Sequence, residues 1–413
     1  MRKIIFSLMF LLCCWMLPAQ SVDIENALVD AVAAYEAGNL DAAERALLKL
    51  HAADSTNDAV LYYLAMCEWE KDYQESAVAH LKKAAELDST NTWYRSALAN
   101  IYLGRGDYAA AAPLMEKLIV EEPATFSNPY MLTVLGDHSL QQYKDSLAMT
   151  YFERALMLDP LYAPAELGRA QVFDIRHNYI GYFSSLTNVV VNADVKPDIK
   201  VQYIKHMYEN VTPQFYWVWG DQMNKLVDTL TVIHPDDIPS QELKLQTCFI
   251  KRDMRAAIER CGIIARLAAE QGEASKLAEA YGNTGDIYHE IGDEKNSFRF
   301  YEAALKADPG YVPTLNNYAY YLSLKGKSLR KALKMSKVTI EKEPDNATYL
   351  DTYAWILHLL GRDAEAKPYF KHAMIYGGRE SATVLEHYSE VLRALGENDL
   401  ADYYKRLSEQ KEK

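Results

Sequence analysis

Cysteine is scarce in this 413-residue chain, five in all, and two of them, Cys13 and Cys14, fall within the first twenty residues. The remaining Cys67, Cys248 and Cys261 are too few for a disulfide framework, so stability has to come from packed secondary structure. Glycine and proline, 18 and 14, are spread thinly, which suits many short helices better than a strand-rich fold. Positive charge is also in deficit: 44 Lys and Arg against 57 Asp and Glu leave a net charge of −13. Such a surface repels phosphate backbones and anionic headgroups, so no nucleic-acid partner and no broad membrane adsorption is expected. Catalytic signatures are missing too. The chain has no HExxH, no G-x-S-x-G and no paired CxxC. No catalytic residue set, metal site or cofactor is therefore expected.

One apolar run stands out, at the start. In MRKIIFSLMFLLCCWMLPAQS, Arg2 and Lys3 precede an apolar stretch from Ile4 to Leu17, followed by the small residue Ala19. The stretch falls short of the roughly 20 residues that span a bilayer, and residues 1–19 read as a secretory signal peptide. A retained anchor is one alternative. Lipid attachment at Cys13 or Cys14 is another, disfavoured by the bulky Phe10-Leu11-Leu12 before it. Cleavage would leave no membrane span, a more acidic chain and an exported, periplasmic location, with any membrane association running through a partner.

What the chain does have is a period. The stretches YLGRGDYAAAAPLMEKLIVEEPA, YHEIGDEKNSFRFYEAALKADPG and HLLGRDAEAKPYFKHAM share one plan: a helical segment, a Gly-Asp or Gly-Arg turn, and a second helical segment. Gly106, Gly292 and Gly361 are expected to end a helix with positive φ. Small residues at Ala111, Ser297 and Ala366 allow the two helices to approach, and Pro123, Pro309 and Pro344 stop the second. Counting from these marks gives units at 24–57, 58–91 and 92–125, then 129–162 after a short interruption. Further units fall at 278–311, 312–346 and 347–380, with looser ones at 163–196 and 238–271. Residues 381–413 form a final hairpin that grows polar at its end, as a cap should. A repeat of this length marks helix-turn-helix units, which bury too little surface singly and must stack.

Unit 278–311 supplies Tyr281, Gly285, Tyr288, Ser297, Tyr301, Ala304 and Pro309. In these positions the chain resembles the tetratricopeptide repeat (TPR) family. NNYAYYLSLKGKSLRKAL and DTYAWILHLLGRDAEAKPYFKHA also look like the C-terminal repeats of secreted or lipidated bacterial TPR proteins. The resemblance implies an all-α fold, an α-solenoid or TPR superhelix of about nine to ten helical hairpins. Its parts are expected to be an N-terminal TPR block at 24–196, an irregular helical joint at 197–237, a C-terminal TPR block at 238–380 and a capping hairpin at 381–413.

The family lines its concave groove mainly with first-helix positions. Carried onto this chain, they give Tyr62, Met66, Trp69, Trp93, Asn100, Tyr130 and Asp137 in the first block. In the second they give Asp286, His289, Asn316, Tyr320, Asp351, Trp355 and His358. Flat aromatic platforms and side-chain amides suit an extended peptide, although Trp69 and Trp355 are the ones best placed to pack on the next repeat instead. Asn100 has no neighbouring Lys, so the carboxylate clamp of some family members is not expected. Also implied by the architecture, Cys248 and Cys261 face each other across a hairpin, either as a disulfide or as two buried thiols.

The joint carries Phe215, Tyr216, Trp217 and Trp219, which either fill the seam between blocks or form a ligand patch. Arg105-Gly106-Asp107 and Gly326-Lys327-Ser328 fall at repeat turns, and Glu386, His387 and Glu390 on one helical turn read as a solvated face. The resulting expectation is a non-enzymatic scaffold or adaptor of the bacterial cell envelope that holds a peptide or protein partner. The alternative is a carrier component of an envelope machine, binding a glycan or small ligand at the aromatic joint. The oligomeric state is left open.

Overall fold

A computed structural model describes residues 24–411. The expected signal peptide at 1–19 lies outside the described residues. Among them there is no strand, and the chain is an all-α solenoid of helical hairpins. It divides into two compact units between Asn192 and Ala193.

The N-terminal unit runs through α1 (24–36), α2 (Leu40–Ala53), α3 (Asp58–Glu70), α4 (Gln74–Leu87), α5 (Thr92–Gly104), α6 (Tyr108–Glu121) and the single turn α7 (Pro123–Phe126). It continues with α8 (Pro129–Gln141), α9 (Asp145–Leu158), α10 (Ala163–Ile175) and α11 (Tyr179–Val191). The hairpin α5–α6 shows how sequence makes the unit. Asn91 Oδ1 accepts from Trp93 N at 3.1 Å and opens α5. The chain reverses through Gly106 at φ +72°, and Asp107 Oδ1 accepts from Ala110 N at 3.0 Å to open α6. Ala111, Met115 and Leu118 recur at helical spacing on the inner face of α6 and are buried with Leu98, Ala99 and Tyr102 of α5.

Neighbouring hairpins share their core. Phe152 of α9 is fully buried, with its ring held against Gly136 of α8 and Gly168 of α10. A methyl group at those glycines would lie 2.4 and 2.3 Å from the ring. The interruption after the third unit is not empty either, since α7 places Phe126 in the same core.

The C-terminal unit contains α12 (Pro197–Glu209), α13 (Pro213–Ile233), α14 (Ile238–Ile250), α15 (Met254–Gln271), α16 (Ala274–Glu290) and α17 (Glu294–Ala307). After these come α18 (Val312–Leu324), α19 (Leu329–Lys342), α20 (Ala347–Leu359), α21 (Asp363–Ile375), a 3-10 turn at Gly378–Glu380, α22 (Ala382–Ala394) and α23 (Asn398–Lys411). Residues 197–237 therefore form two helices, of which α13 is long. Met223, Leu226, Val227 and Leu230 make its buried stripe.

Of the two readings open for Cys248 and Cys261, this structure has the buried thiols. Both are free thiols, buried in one cluster with Ala257, Ile264 and Ile287. Burial raises the pKa of each, to about 11 for Cys261. The cluster is packed without a covalent link.

Candidate functional site

The first-helix residues of the N-terminal unit are set by helical spacing. Tyr62, Met66 and Trp69 lie on one stripe of α3, and Trp93, Ala97 and Asn100 lie on one stripe of α5. Together they line a cavity of about 260 Å³. Its floor is rigid because the Trp69 indole rests over Gly104 of the next repeat, where a methyl would come within 2.9 Å. Trp93 is 64% exposed and meets Phe126 edge to face at 6.0 Å. The Asn100 side chain is exposed.

Tyr130 and Asp137 line a second and larger cavity, of about 590 Å³. It is walled by α8, by Tyr108 at the start of α6, and by Tyr162, Pro164, Gln171 and Ile175 at and in α10. Asp137 keeps much of its surface open to water, yet it is recessed in a concave wall. Burial pushes its carboxyl pKa up to about 6. Nearby, Thr133 Oγ1 and His138 Nδ1 are buried without a hydrogen-bond partner.

In the C-terminal unit the expected residues are tied into networks. Asp286 accepts from the Tyr301 hydroxyl at 2.5 Å and from Asn317 Nδ2 at 3.0 Å; burial raises its pKa, and those two hydrogen bonds oppose the rise. His289 stacks on Tyr321 with ring centroids 3.5 Å apart. Asp351, only 4% exposed, lies 2.9 Å from His387 Nδ1, while Trp355 stacks on the His387 ring at 4.0 Å. Tyr320 approaches the same ring at 6.3 Å. His358 Nδ1 is 2.5 Å from Asp363. Asn316 is buried, its Oδ1 unpartnered. Trp355 thus packs on the next repeat, as Trp69 does.

The remaining candidates are dispersed. Glu386 pairs with Lys405 while His387 turns to Asp351, so Glu386, His387 and Glu390 do not point at one centre. On α13, Trp217 is 87% exposed, whereas Phe215, Tyr216 and Trp219 are half-buried. Tyr216 lies against Gly220, and its hydroxyl accepts from Asn224 Nδ2 at 3.1 Å. First-helix counting missed Tyr108 and Tyr162, which stand at a second-helix start and in a linker, and His387, expected on a solvated face, is instead buried at 7% exposure against Asp351, 36 residues away.

Comparison with known proteins agrees with this repeat geometry. Tetratricopeptide repeat models match residues 28–92 and 96–170, and another matches 278–311. The chain is a tetratricopeptide repeat protein. None of the curated proteins matches it. Among solved structures, MamA AMB-1 is 15% identical, with 48% of this TPR chain and 98% of that one aligned at a TM-score of 0.37. MamA MSR-1 is 17% identical over 40% and 94% at 0.35. A tetratricopeptide repeat protein from Parabacteroides merdae is 16% identical over 69% and 93% at 0.34. Similarity at this level carries no information about a shared ligand. A TPR fold is consistent with protein–protein interaction. Among the described residues no helix is long and apolar enough to cross a membrane.

Proposed function

We propose that this TPR protein is a non-enzymatic scaffold of the bacterial cell envelope that holds an extended segment of a partner polypeptide against the first-helix face of its N-terminal unit. The supporting observation is the wall shared by Tyr62, Met66, Trp69, Trp93 and Asn100. Rigid rings and an exposed amide give an extended chain apolar platforms and a partner for its backbone groups. Export is supported by the sequence of residues 1–19 alone.

Affinity capture from envelope extract, followed by mass spectrometry, tests the reading. Polypeptides retained by the native chain and lost with Trp93→Ala support it. Retention indifferent to that change counts against it. The exposed indole of Trp217 favours a second reading, a carrier that stacks a glycan or small ligand on α13. Glycan binding abolished by Trp217→Ala would favour that carrier.

A further inference from the structure

We propose that the 590 Å³ cavity on α8 and α10 is a binding site for one basic side chain, a lysine or arginine, presented by a partner polypeptide. The proposal rests on the scaffold reading and names the chemistry it selects.

Charge is the first argument. The cavity lining holds one carboxylate, Asp137, and no Lys or Arg. Asp137 differs in this from the other carboxylates on first-helix faces. Asp286 has Tyr301 and Asn317, and Asp351 has His387, but no hydrogen bond or ion pair is formed by Asp137 among the described residues. An unpaired anion in a concave wall draws a cation toward it, and a cation entering the cavity supplies the ion pair that the chain does not. An anionic ligand would meet repulsion, and a purely apolar one would strand the carboxylate.

The walls fit the same ligand. Tyr108, Tyr130 and Tyr162 line the cavity, and aromatic rings suit a cationic head and its aliphatic stem. Thr133 lies one helical turn before Asp137 on the same stripe of α8; its residue is only 5% exposed and its Oγ1 is unpartnered. That hydroxyl and the carboxylate together give two acceptors to an ammonium or guanidinium, which has only donors. The volume leaves room for flanking backbone.

The test uses the full chain and four blocked seven-residue Gly-Ser peptides carrying Arg, Lys, norleucine or Glu at the centre, followed by saturation-transfer NMR titration. Expected are binding of the Arg and Lys peptides and at least tenfold weaker binding of the norleucine and Glu peptides. A loss of tenfold or more with Asp137→Asn is also expected, with no change for Val120→Ala on the exposed side of α6. Circular dichroism verifies that each variant is folded. Equal binding of the norleucine and Arg peptides, indifference to Asp137→Asn, or no binding of either basic peptide overturns the proposal. So does spermidine binding more tightly than both, since the cation would then come from a polyamine. Partner capture lost with Trp93→Ala but intact with Asp137→Asn keeps the scaffold and rejects the basic-side-chain site. Selective Arg and Lys binding without any captured partner rejects the scaffold and keeps the site's selectivity.

Discussion

Phe152 fills space that exists only because residues 136 and 168 lack a side chain. Overpacking of a close-packed core forces side chains from their rotamers, at about 1–3 kcal/mol. Gly168→Ala is expected to lower stability by that amount in urea titration, and an unchanged midpoint would mean the ring has somewhere else to go. Asp137 carries a different signature. Its pKa rises from 3.8 to about 6 on folding, so its protonated form is the one the fold favours. That contribution is complete below the unfolded value and is lost as pH rises through about 6. Asp137→Asn should therefore raise the melting temperature at pH 7.5 and leave it nearly unchanged at pH 3.5. Solvent screening of this open carboxyl holds the gain below about 1 kcal/mol. Conformation at the repeat turn is another residue-scale matter. Gly106 was readable as a positive-φ position, but Asp72, Tyr143, His177 and Arg252 hold the same left-handed turn at φ between +54° and +64° without glycine; Asp and His are types that enter this region more readily, whereas nothing in the Tyr143 and Arg252 side chains announces it.

Between elements, an ion-pair pattern recurs that the apolar period does not show. The basic residue closing a first helix reaches the acidic first turn of the preceding second helix. Lys71 pairs with Asp41 at 2.8 Å, Arg105 with Glu75 at 2.6 Å, Arg176 with Asp145 at 2.6 Å, and Lys325 with Glu294. Each link joins consecutive hairpins and complements the helix dipoles at both ends. Such pairs are individually weak and screened by salt. Arg176→Ala is expected to lower the melting temperature at low ionic strength, with the difference shrinking toward zero in 1 M salt. A difference that persists in salt would assign the loss to packing of the arginine stem. The hairpins themselves were legible because glycine turns, aspartate caps and small residues each leave a mark at fixed spacing. Cavity walls were not, since Tyr108 and Tyr162 join Asp137 only through the stacking of three successive hairpins.

At the scale of the whole molecule, the period accounts for the stability of the described residues without covalent links among them. Cys67, Cys248 and Cys261 are buried thiols, and burial raises their pKa values, to about 11 for Cys67 and Cys261. Thiol-specific reagent should react slowly with Cys67, Cys248 and Cys261 in the native protein and label each of them after unfolding without reductant. Labelling of Cys67 without Cys248 and Cys261 would point to the disulfide instead. Repetition explains why the fold was readable from few marks, and also why the working face was only partly so. Every hairpin presents a first-helix face, but tertiary partners decide which residues remain open: His387 closes over Asp351 and Trp355, whereas no comparable residue covers Trp93. The scaffold reading stands on that open face. Its most direct measurement is photo-crosslinking in living cells, with a benzophenone amino acid at position 93 or, on the outward face of α6, at position 120. A covalent adduct to a partner polypeptide at 93 and not at 120 is the predicted result. Adducts at 120 with none at 93 would contradict it.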